Sequence, residues 1–188
     1  MLAEFIIPTY NREWPLLSMV ASLLAQTNKD WKATIIQDGT DSQFAFNMAN
    51  DFRDKRISVF ATAERYNDFG HTLRQIAKQQ STADYVILTG DDNYYMPTMV
   101  EELQNAVVKK PGIVYWDMVH SHYNYQYFKC SPAYNQIDMG AFATRTDLAK
   151  QVRLNTTFAA DGEFIEDLKK KFPFENLVKI NKVLFVHN

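Results

Sequence analysis

At 188 residues, 46% apolar and 22% charged, the chain has the make-up of one soluble globular domain and is short for two. Its net charge of −2 argues against a general nucleic-acid binder, which carries a basic excess. Cys130 is the only cysteine, which excludes an intramolecular disulfide and a cysteine-held zinc.

Phe5-Ile6-Ile7-Pro8 reads as a short buried strand. Asn11 and Pro15 open a helix in which Leu16, Leu17, Val20, Leu23 and Leu24 form one apolar stripe. A strand over 31–36 ends in Gln37-Asp38-Gly39-Thr40, where Asp-Gly marks a turn. A polar helix over 42–52, a strand over 57–60 and a helix over 71–79 follow. The strand over 85–88 runs straight into Gly90-Asp91-Asp92-Asn93. The next helix carries a candidate capping box, Thr98 with Glu101. Its buried stripe includes Met99, Val100, Leu103, Ala106 and Val107, and Lys109-Lys110-Pro111-Gly112 ends it. Strand and helix thus alternate through residue 110, the pattern of a mostly parallel sheet with helices on both faces. Beyond Gly112, strands are expected over 113–119, 123–128 and 137–143, then a helix over 162–171 and a last strand over 183–186. The expectation is one α/β domain, 1–188, with a nucleotide-binding half (1–110) and a substrate half (111–188) on a smaller sheet.

The N-terminus lacks the basic region and apolar core of a signal peptide. No apolar run approaches the roughly 20 residues that span a bilayer. A cytoplasmic location is therefore expected, with peripheral membrane association left open. The ending at Val186-His187-Asn188 fits either a domain of a longer protein or a minimal enzyme.

The adjacent carboxylates of Asp91 and Asp92 carry the most chemistry. Neighbouring acids at the end of a buried strand repel each other and resist desolvation, so each calls for a partner. A divalent metal and a ribose would serve, at the strand end where open α/β sheets bind ligands. A solvated turn is the plainer alternative. No glycine pattern forms a dinucleotide fingerprint or a P-loop, and there is no G-x-S-x-G elbow. Arg12 and Arg65 offer guanidinium groups to a base or phosphate, or are surface arginines. Asp161 and Glu163 stand at the start of a helix, where acids also serve the dipole. His120 and His122 form a weak His-x-His zinc pattern.

Three segments together resemble the inverting glycosyltransferases of family 2, on the GT-A fold: Ile6 to Arg12, Ile36 to Thr40, and Gly90 to Pro97. Asp138-Met139-Gly140-Ala141-Phe142 resembles the strand beneath the acceptor, and Ala160 to Phe164 the segment carrying the base. Gln37, Gly90 and Ala160 depart from the usual pattern. The resemblance implies a metal-dependent enzyme that moves a sugar from a nucleotide diphosphate sugar, UDP-sugar favoured, to an acceptor hydroxyl on a glycan. It implies that Asp92 holds Mn²⁺ or Mg²⁺ in a DXD-like motif, with Asp91 facing ribose or metal-bound water and His187 completing the shell. Pro8, Thr9 and Tyr10 would shape the base pocket, with Asp38 on base or ribose. Asp161 would be the general base, with Glu163 as its rival. Trp116, Asp138 and Gly140 would lie on the acceptor side, within an aromatic stretch suited to stacking on sugar rings. A sugar-nucleotide pyrophosphorylase and a non-catalytic sugar or nucleotide-binding module are the alternatives.

Overall fold

A computed structural model describes residues 1–188. Strand β1 (Ala3–Thr9) is buried along its whole length, as expected of a central parallel strand covered on both faces. It pairs in parallel with β2 (Trp31–Gln37) on one side and β4 (Tyr85–Leu88) on the other. β3 (Ile57–Ala61) continues the parallel sheet beyond β2. Helices α1 (Glu13–Leu24), α2 (Phe44–Phe52) and α3 (His71–Gln80) make the connections. The chain winds outward from β1 through β2 to β3, then returns to add β4 on the far side of β1. That reversal is a topological switch, and the crevice it opens lies beyond the carboxyl ends of the strands.

Helix ends depart from the sequence signals. Asn11, expected to open α1, sits at φ 49° in the turn before it, and α1 has no side-chain cap. Thr98 occupies the N-cap of α4 (Met99–Ala106) without bonding through its side chain. Glu101 instead accepts a hydrogen bond from the Thr27 hydroxyl at 2.9 Å, so a tether to the loop after α1 replaces the capping box. Gly70 caps α3 at φ +78°, and a Cβ there would meet Pro8 at 2.6 Å. Only glycine lets the loop over 65–70 lie so close to the end of β1.

The strands of the second half join the first sheet rather than forming a smaller one of their own. β8 (Phe142–Arg145) lies antiparallel on β4, and β6 (Ile113–His120) lies antiparallel on β8. β9 (Leu177–His187) runs parallel to β6, and β5 (Tyr94–Tyr95) pairs with β9. β7 (Gln126–Phe128) hangs on the end of β6, giving nine strands in all. The physical reason is the edge of β4: it is buried, so its backbone groups need ladder partners. The stretch expected as a strand over 137–143 begins as a 3₁₀ turn, Met139–Ala141, and only then enters β8. Helices α5 (Thr146–Ala149) and α6 (Ala160–Lys171) complete the fold, and α6 buries Phe164, Ile165 and Leu168 as their spacing predicts.

One bond ties this frame to the site. The buried Tyr95 hydroxyl donates to the Gly140 carbonyl at 2.9 Å, pinning the 3₁₀ turn beside Asp138. Tyr95→Phe is expected to cost about 1 kcal/mol of unfolding free energy, read from the urea midpoint. An unchanged midpoint would mean that the hydroxyl contributes nothing to holding the turn.

Candidate active site

Two cavities open along the carboxyl ends of the central strands. The first, about 490 Å³, runs from Pro8, Thr9 and Tyr10 past Asp38 and Arg65 to Asp91 and Asp92. The second, about 740 Å³, runs from Asp92 past Asp138 and His187 to Asp161. Phe69, Arg74 and Asp92 border both, so the cavities meet at the paired acids.

The two acids differ in surroundings. Asp91 is buried, accepts a hydrogen bond from the Thr9 hydroxyl at 2.7 Å, and lies 3.6 Å from the Arg12 guanidinium. Burial nevertheless pushes its carboxyl up to about 6. Asp92 faces the junction of the cavities and pairs with Arg12 at 2.8 Å. Arg12 therefore sits on the acids as a cation supplied by the chain. The region after β4 thus concentrates negative charge and already attracts a positive group.

Asp38 points the other way. Its two oxygens accept the backbone N–H groups of Tyr66 and Asn67 at 2.8 and 3.0 Å, fixing the loop that carries Arg65. Arg65 lies over the Tyr10 ring, 3.5 Å from its centroid, and donates to Asn67 at 2.8 Å. Stacked Tyr10 and Arg65 form one wall of the first cavity, with Pro8 and Thr9 beside it.

Arg74, in α3, was not singled out from the sequence, where an arginine in a polar helix reads as solvent-facing. It is buried, and its Nε and Nη2 both donate to the Thr89 carbonyl while Nη1 donates to the Phe69 carbonyl. It braces the end of β4 against the loop over 65–70. Its charge lies under Asp138, Asp91 and Asp92, where it offsets part of their repulsion.

Across the second cavity, Asp161 lies in the first turn of α6 and accepts the Gly162 N–H at 2.7 Å. Burial, reinforced by the Asp138 charge, pushes its carboxyl up to about 6. Glu163 does not border this cavity. It accepts hydrogen bonds from Asn155 at 2.8 Å and the Thr157 hydroxyl at 2.9 Å, which hold it below the usual carboxylate range. Two residues, about 200° of helical rotation, separate the two first-turn positions, turning Asp161 toward the cavity and Glu163 toward the loop.

His187 ends β9 on the cavity wall. Its Nδ1 is 3.1 Å from the Ser121 hydroxyl and its Nε2 is 3.7 Å from an Asp138 oxygen. His120 stacks on it at 4.2 Å, and His122 lies in a 3₁₀ turn rather than on the strand. Asp138 accepts the Gly140 N–H at 2.8 Å through its other oxygen. Gly140 is packed against Phe185, where a Cβ would meet the ring at 2.5 Å. Trp116 corrects an expectation: its side chain is fully buried in the core, with no path to the cavity. Trp116 shares a face of β6 with Met118 and His120, which border the cavity, but it lies further back along the strand and is covered by the core; of the aromatic stretch Tyr123 and Phe128 border the cavity instead.

The donor set fits a hard divalent ion of the Mn²⁺ or Mg²⁺ type: carboxylate oxygens from Asp92 and Asp91 and an imidazole from His187. No three such side chains converge into a ready-made cage. An ion here would draw the rest of its shell from phosphate oxygens and water, as Mg²⁺ commonly does.

The chain matches the family model described as Glycosyl transferase family 2 over residues 4–164. An uncharacterized glycosyltransferase of Haemophilus influenzae is 24% identical over 148 residues, covering 78% of this chain and 55% of the relative. The chain thus spans little more than half the length of that relative, and 19% of one from Rickettsia bellii. Among solved structures, S. aureus TarS superposes with a TM-score of 0.82 at 15% identity, over 100% of this chain and 60% of that one. The mannosyltransferase PcManGT of Pyrobaculum calidifontis superposes at 0.74 with 16% identity, over 98% of this chain and 56% of that one. The fold is therefore GT-A, and the chain belongs to glycosyl transferase family 2.

Proposed function

We propose that this protein is an inverting, metal-assisted glycosyltransferase that moves a sugar from a nucleoside diphosphate donor to an acceptor hydroxyl on a glycan. Residues 1–110 bind the donor and residues 111–188 supply most of the acceptor side. The observation that carries the reading is the cavity arrangement. The Asp91-Asp92 pair stands where the two cavities meet, and a base-competent carboxylate, Asp161, stands on the far wall of the second.

Pro8, Thr9, Tyr10, Asp38 and Arg65 enclose the nucleoside, and Asp91 faces the ribose. Asp92 and His187 would hold a divalent ion, which would supply positive charge to the departing diphosphate. Asp161 takes the acceptor proton as the acceptor oxygen bonds to the anomeric carbon. The bond from that carbon to the phosphate oxygen breaks on the opposite face, and its electron pair leaves with the nucleoside diphosphate. The sugar's configuration inverts. TarS has been solved with UDP and with UDP-GlcNAc, and PcManGT with GDP-Man and Mn²⁺, which supports a nucleotide-sugar donor with UDP-sugar favoured. No helix is long and apolar enough to cross a membrane, and the cytoplasmic location expected from the sequence is part of the same reading.

The test is a donor panel of UDP- and GDP-sugars with Mn²⁺, read by nucleoside diphosphate release and by NMR of the product's anomeric centre. An inverted product is expected. Retention, or nucleoside triphosphate formation on adding pyrophosphate, would overturn the reading. A donor-induced stabilisation of about 2.7 kcal/mol at 100 times Kd without any turnover would instead favour a binding module.

A further inference from the structure

We propose that the acceptor is an uncharged sugar, seated with a ring face against Phe69 and Phe158 and with its oxygens shared between Asp138 and Asp161. This rests on the transfer reading above and names the substrate class of its second cavity.

Charge comes first. Asp92, Asp138 and Asp161 border this cavity and no lysine does. Arg74 borders it too, but its guanidinium is committed to the Thr89 and Phe69 carbonyls. Burial, ahead of neighbouring charges, pushes His71 down to about 4, so its imidazole is neutral near pH 7. His187 directs Nε2 at Asp138. Even with Asp92 given over to a cation, a phosphate or carboxylate on the acceptor would meet two carboxylates and find no uncommitted lysine or arginine.

The walls are apolar and aromatic. Phe69 and Phe158 are 67% and 83% exposed and meet edge to face at 6.0 Å. Two phenylalanines standing in water beside a polar cavity make an exposed apolar surface with no partner in the chain. They lack hydroxyls and offer only ring faces and edges, which suit the C–H face of a pyranose.

The polar groups complete the fit. Asp161 spends one oxygen on the Gly162 N–H and keeps the second for a hydroxyl. Asp138 spends one on the Gly140 N–H. Its other, 3.7 Å from His187 Nε2, is beyond hydrogen-bond distance of that ring and can also receive a hydroxyl. His71 is 7% exposed, and its Nδ1 lies 3.4 Å from Arg74 Nη1. A guanidinium only donates, so Nδ1 presents its lone pair and the proton resides on Nε2. That Nε2 is sealed from solvent and has the Thr157 carbonyl beside it, so His71 is a neutral part of the wall and not a free donor.

The experiment uses matched glycosides that are neutral, 6-phosphorylated or oxidised to the uronate, with the donor identified by nucleoside diphosphate release. Neutral glycosides are expected to accept sugar, and their charged counterparts to show kcat/KM lower by about tenfold or more. Phe158→Ala, at an exposed position that leaves the fold intact, is expected to raise the acceptor KM by about tenfold while the donor KM does not follow. Charged glycosides that serve as well as neutral ones, or a Phe158→Ala effect confined to the donor KM, would overturn the proposal. Where no glycoside takes up sugar, saturation-transfer NMR on the same panel decides, and absence of contact with every neutral glycoside overturns it. Donor binding and turnover are read separately, so their loss strikes the transfer reading and not the acceptor class.

Discussion

Asp161→Asn is expected to lower sugar transfer by about 10²- to 10⁴-fold while nucleoside diphosphate binding persists. Asn keeps the size and polarity of the side chain but cannot take a proton. The wild-type rate should rise with pH through about 6 and level off above it, because burial and Asp138 place the Asp161 carboxyl there and only its ionised form is a base. That acid limb should vanish from whatever activity the variant retains. Stability should move the other way. The folded-state carboxyl titrates above the ordinary 3.8, so the fold favours the protonated form. Its contribution to stability is present at low pH and is lost as pH rises from about 4 to about 6. At pH 8 the neutral Asn escapes that penalty, and its urea midpoint should equal or exceed that of the wild type. Glu163→Gln is the control: it loosens the loop over 155–157 but should leave the pH limb in place. If Glu163→Gln removes the limb and Asp161→Asn does not, the base is misassigned.

Why one first-turn acid faces the cavity and the other does not was beyond the sequence. Both positions suit the dipole of α6, and Asp161 also reads as an N-cap. What separates them is the direction of Cβ on α6 and the presence of Asn155 and Thr157 to receive Glu163. Those are tertiary facts. The opposite case is Tyr85 to Leu88: an unbroken apolar run into two acids has few readings, and it stands where expected in β4, beside β1. The edges were harder. Lys179, Asn181 and Lys182 hide the period of β9, which pairs with β6 through a register shift near Asp117. Asp117 itself accepts from Lys179 at 2.7 Å and from the Cys130 N–H at 2.8 Å, so a buried acid serves the frame and not the chemistry. Arg74 escaped notice because its partners are main-chain carbonyls, which leave no pattern in a sequence. Trp116 was misplaced for the converse reason. An aromatic stretch announces stacking surface, but how far along β6 a ring stands, and what covers it there, decides whether it is core.

Asp92→Ala carries the other large effect. Its side chain is 20% exposed against 7% for Asp91, and it alone of the two borders both cavities. Removing its carboxylate should weaken Mn²⁺ binding in the presence of a nucleoside diphosphate by about tenfold or more, read by electron paramagnetic resonance. Transfer should fall on the order of 10²- to 10³-fold, as losing several kcal/mol of charge stabilisation on the leaving diphosphate requires. The fold should survive, because Asp91 keeps its bond from Thr9. Arg12 supplies the cross-check. At 2.8 Å from Asp92 it occupies the oxygen that a divalent ion would need, so the two cations compete. Arg12→Gln should therefore tighten Mn²⁺ binding in the absence of nucleotide, and that gain should disappear when Asp92→Ala is added. Wild-type transfer that is unchanged in excess chelator would defeat the metal role outright. Unchanged Mn²⁺ binding in Asp92→Ala would move the ion elsewhere and leave the acid pair to Arg12 and the buried Arg74.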